Sequence, residues 1–320
     1  MNNKKLSSSV TNFLEKNYLS KLSLTVLKND ASKRRYYRFN NYNKDILLMD
    51  SSLERKTLSK FILISNWLIK NDFSAPSIYS KDMDLGLLLL EDFGLTKFSV
   101  ILKNNKKKKL YFYKKAIDTL IHLSKKPPPS FLKPYDKKVY LKELNLFLIW
   151  HLNYKSDNRE IHEWNDIWIS LLKKIDKSYT TLVLRDYHID NIFYLAKRNK
   201  IKDIGLIDYQ DALIGHPSYD LVSLLQDVRA FISKKDQKIL YNYYISNNKY
   251  SLENFKQTYL ILGTQRLIKI IGIFKRLNVN ENNSTYMKFL PRTWRLLFDN
   301  LKDPIFRDLK VWLNKYSRNA

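Results

Sequence analysis

The sequence predicts an α+β chain in two lobes, a small mostly-β lobe over residues 1–94 and a larger helical lobe over 95–320. Three observations point that way. Short apolar or alternating runs crowd the first hundred residues, helical spacing dominates from about 96 onward, and strand-like runs return between 181 and 207. A ligand cleft is expected between two such lobes.

Each element has a local reason. "LSLTVLK" (22–28) alternates apolar and polar residues, as a half-buried strand does. "DASKRRYYRFN" (30–40) reads as a turn entering a second strand, and "KDILLMD" (44–50) as an apolar third. "LERKTLSKFILISNWLIKN" (53–71) carries helical spacing. "LGLLLLEDFG" (85–94) is a buried strand running into an acidic turn closed by Gly94. Helices are expected over 106–124, 138–154 and 160–177, with "KKPPPSFLKP" (125–134) breaking between the first two. The segment 181–207 reads as a strand pair, 181–185 with 201–207, and 192–195 is also extended. Helices fill the remainder, including a long one over about 255–277.

Composition removes several functions. The 320 residues include no cysteine, so disulfides, thiolate metal sites and thiol nucleophiles are excluded. No run of eighteen apolar residues exists, so no membrane partner is expected. The start, "MNNKKLSSSVTNFLEKNYLSKL", lacks a signal-type apolar stretch, and a cytoplasmic location is expected. The formal net charge is +26, but the lysines are spread along a chain also rich in Asn and Ile. No nucleic-acid motif accompanies that charge, and no nucleic-acid partner is expected.

Chemistry concentrates in two acid clusters about twenty residues apart, "RDYHIDN" (185–191) and "LIDYQDA" (206–212). Burying so many acids without partners would be costly, so they face water or hold something positive. Phosphoryl transfer needs an Asp to accept or orient the attacking hydroxyl's proton, and hard oxygen ligands for Mg²⁺ against the phosphates. Asp186, then Asn191 five residues on, then Asp208 ending an apolar strand, matches the kinase order. Alone, D-x-x-x-x-N is common and an Asp at a strand end is often a turn former. Order, spacing and a β-first architecture together favour a protein-kinase-like fold with Asp186 catalytic and Asn191 and Asp208 as metal ligands.

At these residues the sequence resembles the aminoglycoside phosphotransferase superfamily. "RDYHIDNIFY" is similar to its catalytic loop and "IGLIDYQDALIGHPSYDLVSLLQD" (204–227) to its metal-binding strand and following helix. The second stretch resembles one branch, the bacterial anomeric kinases of N-acetylmuramate and N-acetylglucosamine. "NDASKRRYYRF" (29–39), "LLLLEDFG" (87–94), "LGTQRLIKIIGIFKRL" (262–277) and "FLPRTWRLL" (289–297) extend the likeness over nearly the whole chain. The resemblance implies an ATP- and Mg²⁺-dependent kinase that phosphorylates a small amino sugar at C1 in cell-wall sugar recycling. It also implies a downstream uridylyltransferase.

The departures are specific. Leu184 stands two residues before Asp186, where the superfamily commonly has His; the His two residues after is kept as His188. The phosphate-covering turn has no glycine and offers Ser32, Arg34, Arg35 and Arg38. No Lys stands among the inner positions of "KDILLMDSS", so an arginine of the turn is expected to supply that charge. Leu90, Glu91 and Phe93 are expected near the adenine. His188, Asp211, Gln265, Arg266, Lys269 and Arg292 are candidates for the sugar, a cation suiting a lactyl carboxylate. Gly272 on the same helix would admit a ligand or a neighbour closely. Asp220 is expected to cap a helix or brace a loop. The rival readings are an aminoglycoside, choline or homoserine kinase of the same fold, and a catalytically degraded kinase-like binder. A chain at +26 is a poor host for polycations.

Overall fold

The computed structural model describes residues 6–19, 23–27, 33–41, 44–154 and 159–317. The chain begins with α1 (Ser8–Lys16), β1 (Leu24–Val26), β2 (Arg35–Asn41), β3 (Lys44–Asp50), α2 (Leu58–Lys70), β4 (Ile78–Asp82), β5 (Leu87–Glu91) and α3 (Phe98–Asn104). It continues with α4 (Lys109–Ser124), α5 (Lys137–Trp150), α6 (Arg159–Lys173), β6 (Thr181–Val183), β7 (Ile192–Tyr194), β8 (Ile204–Leu206) and β9 (Leu213–Gly215). It closes with α7 (Ser218–Leu225), α8 (Lys234–Ser246), α9 (Leu252–Asn280), α10 (Leu290–Asn300) and α11 (Arg307–Tyr316). Two compact units result: the chain up to Lys106 with Asp190–Asp211, and Lys107–Ile189 with Ala212 onward. The β7–β8 segment thus belongs to the first unit.

The first unit is built on an antiparallel sheet of order β1-β2-β3-β5-β4. Between β3 and β4 runs the leucine strand β5, buried on both faces. Alternate residues Leu87 and Leu89 join Tyr37, Phe39, Ile46 and Leu48 in a cluster closed by Val10, Phe13 and Leu14 of α1. Period-2 placement therefore gives the sheet one face for that helix. Strand β4 and helix α3 are additions to the elements read from the sequence.

The strand pairing of the acid-rich segment corrects the expectation. Strand β6 pairs with β9 (Thr181↔Gly215, Val183↔Leu213), and β7 pairs with β8 (Ile192↔Leu206). Residues 200–203 form a 3-10 turn instead of strand. The short connection between β7 and β8 closes a local hairpin, leaving β6 to the next extended run, where Val183 and Leu213 share an apolar cluster with Tyr219 and Leu262.

The second unit is organised around α9, whose residues from Phe255 to Leu277 are mostly buried. Its Ile268 and Ile271 share a core with Phe147, Trp164, Trp168 and Trp312. Helix α5 comes closest: a Cβ added at Gly272 would meet the Leu146 carbonyl carbon at 2.4 Å. The glycine expected to admit a ligand or a neighbour admits a helix backbone.

Candidate active site

The loop that carries Asp186 leaves β6 and is pinned at several points within the second unit. The Asp220 carboxylate, in the first turn of α7, accepts the backbone N–H groups of Leu184 (2.6 Å) and Arg185 (2.9 Å). The Tyr187 hydroxyl donates to the Ala116 carbonyl (2.8 Å). The Ile189 N–H donates to Asp227 (3.2 Å). Asp227 lies seven residues beyond Asp220, just past the end of α7, so one short segment holds both shoulders of the loop. Burial pushes Asp220 up to about 7, the two N–H donors opposing it; the Asp186 charge also raises it and Arg266 lowers it. Loop bracing, the role expected of Asp220, is what its carboxylate does. Asp227 was not singled out from the sequence, although its spacing from Asp220 was legible.

Arg185, immediately before Asp186, has φ +72°, a left-handed conformation uncommon for a side chain of this size. His188 is buried and its N–H donates to the Asp186 carbonyl (3.1 Å). Asp186 itself is half-buried.

In the first unit the β7–β8 hairpin carries Asn191 and Asp208. The Asn191 amide donates to one Asp208 oxygen (3.2 Å) and the Gln210 amide to the other (2.9 Å). Asp208 is exposed and also left-handed, φ +63°. Next to it Tyr209 is fully buried, its hydroxyl on Ser65 (2.7 Å) and its ring stacked on Phe61 at 5.2 Å. That anchor turns the neighbouring carboxylate outward. Among the described residues no group of three or more His, Asp or Glu side chains forms a metal cage. A carboxylate beside an amide oxygen fits Mg²⁺, which takes one or two protein ligands and leaves the rest to water and phosphate.

A cavity of about 530 Å³ in the first unit is lined by Arg34, Arg55, Lys56, Thr57, Gln210 and Asp211, among others. Arg34 is buried; it donates to the Thr57 hydroxyl (2.7 Å) and its Nε lies 3.7 Å from Glu54. Arg35 is exposed on β2. Arg38 is engaged in a two-pronged pair with Asp92 and also donates to the Gly94 carbonyl (3.0 Å), bracing the turn after β5. Ser32 lies outside the described residues. The inner positions of β3 hold buried Leu48, Met49 and Asp50.

The residues expected near adenine are structural at their side chains. Leu90 is buried within β5, Glu91 pairs with Arg198 and accepts from the Ser77 hydroxyl (3.1 Å), and Phe93 packs edge-on against Phe193 at 5.8 Å.

The sugar candidates on α9 differ most from expectation. Gln265, Arg266 and Lys269 are buried inside the second unit. Gln265 and Lys269 meet an acid not selected from the sequence, Glu143 of α5. Glu143 accepts from the Tyr135 hydroxyl (2.5 Å), the Gln265 amide (3.0 Å) and the Arg185 guanidinium, with the Lys269 ammonium at 3.7 Å. Lys269 donates to the Tyr219 hydroxyl (2.7 Å). Burial would raise Glu143, but Lys269 and Arg185 outweigh it and hold the carboxyl below its ordinary range. Burial would lower Lys269, but Glu143 outweighs it and holds the ammonium above. Arg292 is half-buried, donates to the Asp227 carbonyl (3.2 Å) and lies 5.4 Å over the exposed Phe231 ring.

Comparison with known proteins sets this geometry in a family. The profile of the phosphotransferase enzyme family matches residues 23–248. An N-acetylmuramate/N-acetylglucosamine kinase of Caulobacter vibrioides is 27% identical, covering 95% of this chain and 94% of its own. One of Pseudomonas aeruginosa is 28% identical, covering 84% and 80%. Among solved structures, the choline kinase LicA of Streptococcus pneumoniae aligns with TM-score 0.63 at 13% identity, covering 91% of this chain and 100% of that one. Spectinomycin phosphotransferase, solved with ADP and spectinomycin, aligns with TM-score 0.60 at 14% identity, covering 97% and 98%. These two alignments show the shared kinase-like fold. The chain belongs to the phosphotransferase enzyme family.

Proposed function

We propose that this phosphotransferase transfers the γ-phosphoryl group of ATP to the anomeric hydroxyl of N-acetylmuramate or N-acetylglucosamine. The observation that carries the reading is the near full-length similarity to kinases named for those two sugars, in a chain that keeps Asp186, Asn191 and Asp208. Similarity to choline and spectinomycin kinases supports the fold, and at 11–14% identity it does not extend to their substrates.

Asp186 takes the proton of the C1 hydroxyl as its oxygen bonds to the γ-phosphorus. The bond from that phosphorus to the β,γ-bridging oxygen breaks, and ADP leaves. Asn191 and Asp208 would hold Mg²⁺, which neutralises charge on the phosphate oxygens. Arg34 is the cation best suited to the phosphates in place of the missing Lys: it lines the same cavity as Gln210 and Asp211, and Gln210 bonds Asp208. Replacing Arg34 with Ala should raise KM for ATP roughly tenfold or more, as expected for loss of a charge-assisted contact. An unchanged KM would remove Arg34 from this role.

For the sugar, Gln265 and Lys269 are engaged with Glu143, and Arg266 sits buried within electrostatic reach of Asp220. The lactyl carboxylate is therefore assigned to Arg292, whose partner Asp227 also holds the Ile189 N–H of the Asp186 loop. Arg292→Gln should lower N-acetylmuramate turnover about tenfold more than N-acetylglucosamine turnover. Equal losses on both sugars would contradict the assignment. His188 and Asp211 keep supporting roles near the reacting groups. The sugar 1-phosphate would suit a uridylyltransferase making a UDP-sugar in cell-wall recycling, in the cytoplasm where ATP is available. No helix among the described residues is long and apolar enough to cross a membrane. The direct test is ADP release from ATP and Mg²⁺ with each sugar, choline and spectinomycin in parallel: turnover confined to the amino sugars supports the proposal, and turnover confined to choline or spectinomycin overturns it.

A further inference from the structure

The geometry points to Glu143 as a positioning residue of the transfer reaction, acting on Asp186 through Arg185; this rests on the role given to Asp186 above. Nothing in the reaction itself calls for a carboxylate on α5. Yet Glu143 is buried at the centre of a polar group drawn from four other places: Tyr135 before α5, Arg185 in the catalytic loop, Tyr219 of α7, and Gln265 and Lys269 of α9.

Arg185 is the link. Its left-handed backbone is unfavourable for a residue of this size and persists only where the surroundings impose it. Asp220 fixes the peptide groups at Leu184 and Arg185 from the main-chain side. Glu143 fixes the same residue from the side-chain side, by its guanidinium. With both ends of Arg185 held, the direction in which the chain delivers Asp186 is set.

Charge gives a second, independent argument. The group holds two cations, Arg185 and Lys269, against the single carboxylate of Glu143. Asp186 is within electrostatic reach of both cations. The Glu143 carboxylate keeps the Arg185 guanidinium occupied. Without that charge, the guanidinium is drawn to Asp186, the next residue, and covers the oxygen that must take the hydroxyl proton. Stability alone gives little reason for such a pair, since buried ion pairs are often replaceable by apolar residues without loss.

The test is steady-state kinetics well below the melting temperature of each variant. Glu143→Gln should lower kcat at least about twentyfold with KM for ATP changed by no more than about twofold. The double variant Glu143→Gln/Arg185→Gln should regain part of that kcat, because no guanidinium remains to cover Asp186. Tyr219→Phe removes a hydroxyl from the same buried group and should keep kcat within about threefold. A Glu143→Gln kcat near that of the unaltered protein overturns the inference. So does a double variant that is no better than the single, or losses in Tyr219→Phe as large as in Glu143→Gln. If Glu143→Gln does not fold, Arg185→Lys reads the same contact from the other side: a kcat loss of about tenfold at unchanged KM supports the role, and an unchanged kcat overturns it. Asp186→Asn separates the two levels. Retained turnover there fails the reading of Asp186, whereas an inactive Asp186→Asn beside a fully active Glu143→Gln fails the positioning role alone.

Discussion

Asp186→Asn should lower kcat by about a thousandfold or more while leaving ATP affinity and melting temperature close to those of the unaltered protein. The amide matches the carboxylate in size but cannot accept the hydroxyl proton. The loop has other supports. It is held by Asp220 on the Leu184 and Arg185 N–H groups, by Tyr187 on Ala116, and by Asp227 on Ile189. ADP production and a thermal melt on the same preparation check both halves of the expectation. A variant that folds and turns over like the unaltered protein would remove Asp186 from catalysis.

Gly272→Ala should destabilise the protein by about 2 kcal/mol or more, against the usual preference of helices for alanine. Helix propensity alone favours Ala over Gly by roughly 1 kcal/mol. The new Cβ would stand 2.4 Å from the Leu146 carbonyl carbon and 2.5 Å from the Phe147 nitrogen. These are backbone atoms of a packed helix and cannot rotate aside, so α5 and α9 must separate, an overpacking that commonly costs 1–3 kcal/mol and occasionally more. The same separation would loosen Glu143 on α5 from Gln265 and Lys269 on α9, so activity should fall with stability. Chemical denaturation read by far-ultraviolet circular dichroism gives the sign: stabilisation would show that the two helices yield at this point.

The sequence carried the parts of the fold with local signatures. Alternation marked β1, an apolar run marked β3, an uninterrupted leucine run marked β5, and helical spacing marked α2, α4 and α9. Three-residue strands carry almost no such signal, and the partner of β6 lies some thirty residues away in β9. The pairing was therefore misassigned, and β9 itself went unread among the helices expected beyond residue 207. Helix α9 shows a different limit. Spacing placed Gln265 and Lys269 on one stripe but could not say what the stripe faces, because Glu143 is 122 residues from Gln265. In the same way Arg38 reads as a free cation in its own turn, and its partner Asp92 is 54 residues away. The order Asp186, Asn191, Asp208 stands in the sequence itself, and the roles proposed for it rest on residue type and spacing. The bonds that Asp227 and Glu143 make to the Asp186 loop, at Ile189 and Arg185, span 38 and 42 residues and leave no local signal.

The most direct measurement is the position of the phosphate on the product. N-acetylmuramate and N-acetylglucosamine are incubated with ATP, Mg²⁺ and the protein, and phosphorus coupling is read at the anomeric proton. Phosphate on C1 of at least one sugar, formed by the unaltered protein and absent with Asp186→Asn, is the predicted result. Phosphate on another carbon, or no transfer to either sugar by protein that binds ATP, would contradict it.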